Sequence, residues 1–262
     1  MRAINPKIRL STATLIAMVL GSYLYSASAD AAAMRDISRV NRGIHVSAEE
    51  RVGDISSVNG GIDLAGGATA RELSTVNGGI DLDDNITIEY AETVNGGIRV
   101  GENVTVSGSL ETVNGGIRTG AGTVVENRVR TVNGKIQLRN TTVGENVVTS
   151  NGDISFRNGS IVNGDLLVAN GRSNWCSRLW RSHRRHMNIT IDASSAVRGD
   201  IHLYREVDLY IDDAAEVGEI IRHYSALVNR RRNQAISCRF YLLHSLHYKC
   251  VVISERMASI RS

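Results

Sequence analysis

Apolar residues along most of this chain come singly, at every second position, in runs long enough only for short strands. The stretch "GIRVGENVTV" at 97–106 sets Ile98, Val100, Val104 and Val106 among polar neighbours, the two-residue period of a half-buried strand. The alternation stops every few residues at Gly, Asn or Asp, so strands of roughly three to five residues are expected, each ending in a corner. A helical hairpin does not fit. Many segments carry two Gly, and each costs about 1 kcal/mol relative to Ala inside a helix.

The corners recur at a fixed distance. Asn41, Asn59, Asn77, Asn95, Asn114, Asn133, Asn151 and Asn170 follow one another in steps of eighteen or nineteen positions. "DISRVNRGI" at 36–44 matches "DISSVNGGI" at 54–62, and "ETVNGGIRVG" at 92–101 returns as "ETVNGGIRTG" at 111–120. A fixed period of this kind is the mark of a solenoid: coils stack about 4.8 Å apart and bury their inward side chains in one column. Val76, Ile80, Leu82, Val94, Ile98, Val100, Val104 and Leu110 are expected to point inward, continued by Val113, Ile117, Val132, Ile136 and Leu138. Asn and Gly both tolerate positive φ, which accounts for a sharp bend at Asn-Gly. Stacked Asn side chains can also bond to backbone or to one another along the axis. Neither role requires a ligand.

The pattern extends beyond Asn170. Residues 188–221 still alternate and still turn at "VRGDI" and "VGEI", enough for about two further coils. Between them, residues 172–187, "RSNWCSRLWRSHRRHM", leave the array where an Asn-Gly corner stands. A solenoid tolerates such an excursion because each coil touches only its neighbours.

Composition fits this reading and partitions the chain. With 25 Gly, one Pro and 5% aromatic residues, the core must be aliphatic, without the aromatic bulk of a compact globule. Residues 34–171 hold 17 acids and 12 bases, residues 172–187 five Arg and no acid, and residues 188–222 eight acids and three bases. Residues 223–262 hold seven bases, one acid and no Gly. The net charge of +3 therefore conceals an acidic rod with a basic loop and a basic end. The tail, 222–262, reads either as a cap or as an out-of-frame extension. Cys176, Cys238 and Cys250 lie outside the regular body, so disulfides do not hold it together.

The N-terminus reads as an export signal: Arg2, Lys7 and Arg9, an apolar run from Leu10 to Tyr25, then Ala27-Ser28-Ala29, with Ala31-Ala32-Ala33 as a second cleavage site. Retention as a membrane anchor is the other reading. The expected address is the periplasm, the outer membrane or the medium.

The "TVNGGI" coils resemble those of exported bacterial adhesin-type β-solenoid proteins, and "AVRGDIHL" and "AEVGEI" resemble the coils of bactofilin-type polymer-forming proteins. The likeness covers about residues 36–221. It implies an all-β fold, a three-sided and right-handed parallel β-helix with one coil per Asn-to-Asn step, in a bacterial envelope. It implies no defined activity.

Candidate chemistry is sparse. The position after each corner Ile reads His45, Asp63, Asp81, Arg99, Arg118, Gln137 and Ser155. Asp63 above Asp81 could imitate the carboxylate pair of a polysaccharide lyase or hydrolase acting on acidic glycans, although outward charges are equally the mark of a solvated face. A six-residue grid through Val58, Leu64, Val76 and Leu82 resembles that of hexapeptide acyltransferases. The longer units break it, and no His follows His45 in the Asn-Gly coils. No nucleotide fingerprint, metal-ligand spacing or catalytic triad is visible, so no cofactor, metal or nucleic acid is expected. The best ligand candidate is the basic loop, where Arg172, Arg178, Arg181, Arg184 and Arg185 surround Trp175 and Trp180. Arg grips phosphate or carboxylate with two parallel hydrogen bonds, and Trp favours sugar faces and membrane interfaces. Anionic lipid, lipopolysaccharide or acidic polysaccharide would suit it, unless the loop merely neutralises the acidic rod. The open ends of the solenoid could also stack on another copy. The expected function is a non-enzymatic adhesin-like or scaffold surface, with the glycan-active enzyme as the alternative.

Overall fold

The computed structural model describes residues 34–170 and 187–224, and within them every regular element is a strand. All pairings are parallel, each strand lying beside its counterparts one coil below and one above, in three sheets. Sheet 1 has ten strands, from Ile37–Arg39 to Ile220–Arg222. Sheet 2 has nine, from Ile44–Val46 to Val207–Ile211. Sheet 3 has seven short strands, from Thr87–Ile88 to Glu216–Val217, extended downward by bridges that join Arg51 to Thr69 and Thr69 to Thr87. The result is a three-sided parallel β-solenoid of about nine turns.

The core is a column of stacked aliphatic side chains, as the alternation predicts. Ile80, Leu82, Ile98, Val100, Val104, Leu110, Ile117, Ile136 and Leu138 are all buried, and Phe156 is the largest fully buried side chain. Val76, Val94, Val113 and Val132 are not: they stand half-exposed on the outside of sheet 1. The inward position is one residue earlier and belongs to Thr75, Thr93, Thr112 and Thr131, all buried. Each Thr hydroxyl donates to the carbonyl of the glycine at the preceding corner: Gly60, Gly78, Gly96 and Gly115, at 2.8–2.9 Å. A Val there would fill the space and leave those carbonyls without this donor. This is why the apolar residue takes the outer position and the polar one the inner.

The shorter and longer coils differ away from the Asn-Gly corner. From sheet 1 to sheet 2 the step is seven residues in each of the first seven coils, as from Leu110 to Ile117 and from Val129 to Ile136. The first lengthening falls between sheet 3 and sheet 1, where Thr87 to Ala91 is four steps but Thr105 to Leu110 is five; the later short coil keeps five there and loses a residue between sheets 2 and 3, from Ile136 to Thr142. The asparagines therefore stay in register while the coil length changes.

The two kinds of bend have separate causes. At the Asn-Gly corner the glycine is required by space: a Cβ on Gly78, Gly96 or Gly115 would fall on the carbonyl oxygen of the corner glycine one coil below. Left-handed backbone is instead concentrated between sheets 2 and 3, at Glu49, Gly67, Asn85, Asn103, Gly122, Asn140 and Asn158, with φ between 44° and 75°. These seven residues form their own column at the solenoid period. Asn and Gly, which tolerate this conformation best, fill all of it except Glu49. Positive φ thus explains mainly a corner other than the one for which it is expected; at the Asn-Gly corner, Gly152 alone among the described corner glycines adopts it.

After Leu166–Val168 the chain does not cross directly to sheet 2. It re-enters at Met187, which is buried and opens the strand Met187–Ile191, and Ile189 stacks on Ile154. The solenoid then continues through Ile220–Arg222, and the His223 N–H still donates to the Leu203 carbonyl at 2.8 Å.

Candidate functional site

Seven corner asparagines form one continuous ladder. The Nδ2 of Asn59 donates to Oδ1 of Asn41, and the same bond repeats from Asn77, Asn95, Asn114, Asn133 and Asn151 to the Asn below, at 2.7–2.9 Å. Each interior amide is both donor and acceptor along the axis. Above Asn151 the next donor is Arg205, whose guanidinium reaches Asn151 Oδ1 and the Ser150 carbonyl. Arg205 spans the coil whose corner is interrupted, while Asn170 stands exposed. Residues 171–186, and with them Arg172, Trp175, Arg178, Trp180, Arg181, Arg184 and Arg185, lie outside the described residues, as do the export signal and residues 225–262.

The outer rank of sheet 2 is in register from His45 through Asp63, Asp81, Arg99, Arg118 and Gln137 to Ser155. Two contacts run along the axis within it: Arg99 Nη1 lies 2.7 Å from Asp81 Oδ1, and Arg118 donates twice to the neutral Gln137 Oε1. This is how a solvated face arranges itself, and it leaves Asp81 engaged by a cation.

Two shallow recesses lie on the outer face of sheet 1. The larger, about 130 Å³, is bordered by Asp36, Asp54, Glu72 and a row of serines. The smaller, about 20 Å³, has room for about one water and is bordered by Glu92, Glu111, Arg130 and Val113. Glu92 and Glu111 are register partners on adjacent strands, yet their surroundings differ. Burial, followed by the nearby charge of Glu72, pushes the Glu92 carboxyl above its ordinary value, against the opposing effect of the Tyr90 hydroxyl, which donates to Glu92 Oε2 at 3.4 Å. Glu111 is clasped by Arg128 Nε at 2.8 Å and lies 3.7 Å from Arg130 Nη1, and that hydrogen bond raises Arg128. Burial also raises Glu72, helped by Asp54, and burial drives the Tyr90 hydroxyl far up. A carboxyl pushed upward by burial thus sits one strand from one that is engaged by two guanidinium groups.

Sequence reasoning misses this face because Glu72, Tyr90, Glu92 and Glu111 belong to strands whose inward parity is displaced by the buried Thr. The signal available was the "ETVNGG" repeat itself, in which Glu lies two residues before an outward Val. Among the described residues, no group of three or more His, Cys, Asp or Glu is placed to hold a metal ion.

No family model, curated protein or solved structure matches this chain. The fold rests on the structure, and the likeness to adhesin-type and bactofilin-type repeats rests on the residues of the coils alone.

Proposed function

We propose that this chain is a non-enzymatic, exported envelope protein, a rigid β-solenoid that carries a ligand-binding loop out of one corner. The observation that supports this reading is the contrast between seven corners locked by the Asn ladder and the next one, after Asn170. There the sequence inserts a stretch with five Arg and two Trp between Asn170 and the strand that opens at Met187. A stiff column with one basic, Trp-bearing excursion suits the display of a contact for anionic lipid, lipopolysaccharide or acidic polysaccharide. Binding of the mature chain to phosphatidylglycerol vesicles and to lipopolysaccharide is compared with binding by a variant carrying Gln at Arg178, Arg181, Arg184 and Arg185. A strong loss is expected, and equal binding by both forms removes the loop as the site. End-to-end association belongs to the same reading, since Val207, Leu209, Ile211 and Ile220 of the last coil are only partly covered. Sedimentation over a concentration series tests it. Export is tested by the mass of the mature chain, expected to begin after Ala29 or Ala33.

The recess on sheet 1 favours a second reading, a glycan-active enzyme, with Glu92 as acid and Glu111 as base or nucleophile in place of Asp63 and Asp81. Turnover of acidic polysaccharides that is abolished by Glu92→Gln or Glu111→Gln would establish it over the first.

A further inference from the structure

The last described strand, Ile220–Arg222, is fastened to the coil beneath by more than its backbone. His223 follows it on the outer face of sheet 1 and meets His202 of the strand Ile201–Leu203, with 3.0 Å between Nε2 of His223 and Nδ1 of His202. The ring centroids are 5.3 Å apart and the planes 22° from parallel. The nitrogen gap plus one ring radius on each side accounts for that separation, so the rings stand nose to nose in nearly one plane. Tyr204 lies flat against His223, at 4.2 Å and 9°, and fixes its tilt. On the far side of His202, Asp165 Oδ2 is 3.8 Å from Nε2. The sequence gives little warning of the pair, because His223 stands at the start of the stretch that reads as foreign to the repeat.

An arrangement of this kind holds one proton between the rings. With both imidazoles neutral, one nitrogen donates and the other accepts; with one ring charged, the bond persists and is strengthened by the charge. With both charged, two N–H groups and two positive charges face each other across the same gap, and the bond is lost. We propose that His202 and His223 form an acid-released latch on the last described strand of the solenoid. At neutral pH the shared proton holds Ile220–Arg222 against sheet 1. Protonation of both rings frees that strand and uncovers the edge of Ile201–Leu203, a row of backbone groups then ready for another strand.

The charged and titratable neighbours on the packed elements fit this role. Asp165, just below Leu166–Val168, can neutralise one positive ring; its other oxygen accepts the Asp200 N–H at 2.9 Å. Asp200 in turn accepts the Glu219 N–H at 3.0 Å. Tyr204 is the stacking partner, Arg205 is committed to Asn151, and Arg222, on the latched strand itself, is the register partner of the inward Leu203.

Hydrogen exchange on the full chain tests the latch. The His223 amide, bonded to Leu203, and its neighbours in Ile220–Arg222 are followed between about pH 7.5 and about pH 5, the interval spanning imidazole titration, after correction for chemical exchange. Protection in the native chain is expected to fall at least about tenfold, the equilibrium factor carried by one charge-assisted hydrogen bond. In His202→Gln and His223→Gln the step disappears. No step in the native chain, or the same step in both variants, overturns the proposal. Should the variants leave the strand unprotected at both pH values, the ring ¹⁵N resonances of the native chain decide. Both rings must take up protons over the interval in which protection is lost, and loss without that uptake also overturns the proposal.

Discussion

Single side chains carry two separable effects, one from buried hydroxyls and one from buried carboxyls. Thr93 and Thr149 occupy equivalent inward positions, but only Thr93 has a partner, the Gly78 carbonyl at 2.8 Å, whereas the Thr149 hydroxyl is buried and makes no hydrogen bond. Replacing each with Val keeps the shape and removes the hydroxyl. Thr93→Val is expected to destabilise by about 1 kcal/mol, while Thr149→Val, which removes an unsatisfied polar atom, is expected to be neutral or stabilising. Urea denaturation of the two variants checks the opposite signs. For Glu92 the folded chain raises the pKa above the ordinary 4.5. Stability linked to this group is therefore fully present below that value, where it is protonated folded or unfolded, and is lost as the pH rises through the raised pKa. Glu92→Gln keeps an acceptor for Tyr90 and removes the charge. The variant and native chains are expected to melt together near pH 4, with the variant increasingly the more stable as the pH climbs toward neutrality. A difference that grows toward acid instead would reverse the sign.

At the scale of the element, the unit of stability is the ladder column rather than the strand, since the strands of sheet 3 are as short as two residues. Asn95 donates to Asn77 and accepts from Asn114, whereas Asn41, in the first described coil, accepts from Asn59 and donates to no Asn among the described residues. Asn95→Ala breaks two bonds and Asn41→Ala one. The expected losses are about 1–2 kcal/mol and at most about 1 kcal/mol, because these amides are solvent-exposed and each such bond is modest. Equal losses in chemical denaturation would mean that the asparagines act singly rather than as a chain. Strand and corner placement were legible in the sequence because both follow from a two-residue alternation and a period set by Asn. The parity of the "TVN" segment was not. Thr and Val are both β-branched and nearly the same size, and only the position of a glycine carbonyl one coil away decides which of them turns inward. The left-handed column was hidden for a related reason, since Glu49, Gly67 and Asn85 share a backbone conformation but no single residue type. The carboxyls of sheet 1 became visible as a group only once that parity was known.

On the largest scale, the described residues form a column whose sequence is interrupted once, and the lengths of its crossings say how the interruption can be undone. Seven residues separate Leu110 from Ile117 and Val147 from Ile154. Removing residues 172–187 would leave seven between Leu166 and Ile189, with the corner reading Asn170-Gly171-Asn188-Ile189, much like Asn133-Gly134-Lys135-Ile136. The excised chain loses the buried Met187 at the mouth of its strand, a cost of about 2–5 kcal/mol for a side chain of that size if the gap stays open. Against this, it closes a corner and brings Asn170 within reach of the ladder, where it would compete with Arg205 for Asn151. Because coils contact only their neighbours, the effect should be confined to the two coils that flank the cut. The expected outcome is a folded chain with the same association state and the same β-rich circular dichroism spectrum as the native chain, a melting temperature lowered by no more than a few degrees, and no binding to anionic vesicles. Unfolding of the whole column would mean that the excised segment braces the coils. Retained vesicle binding would move the ligand surface from the loop to the rod itself.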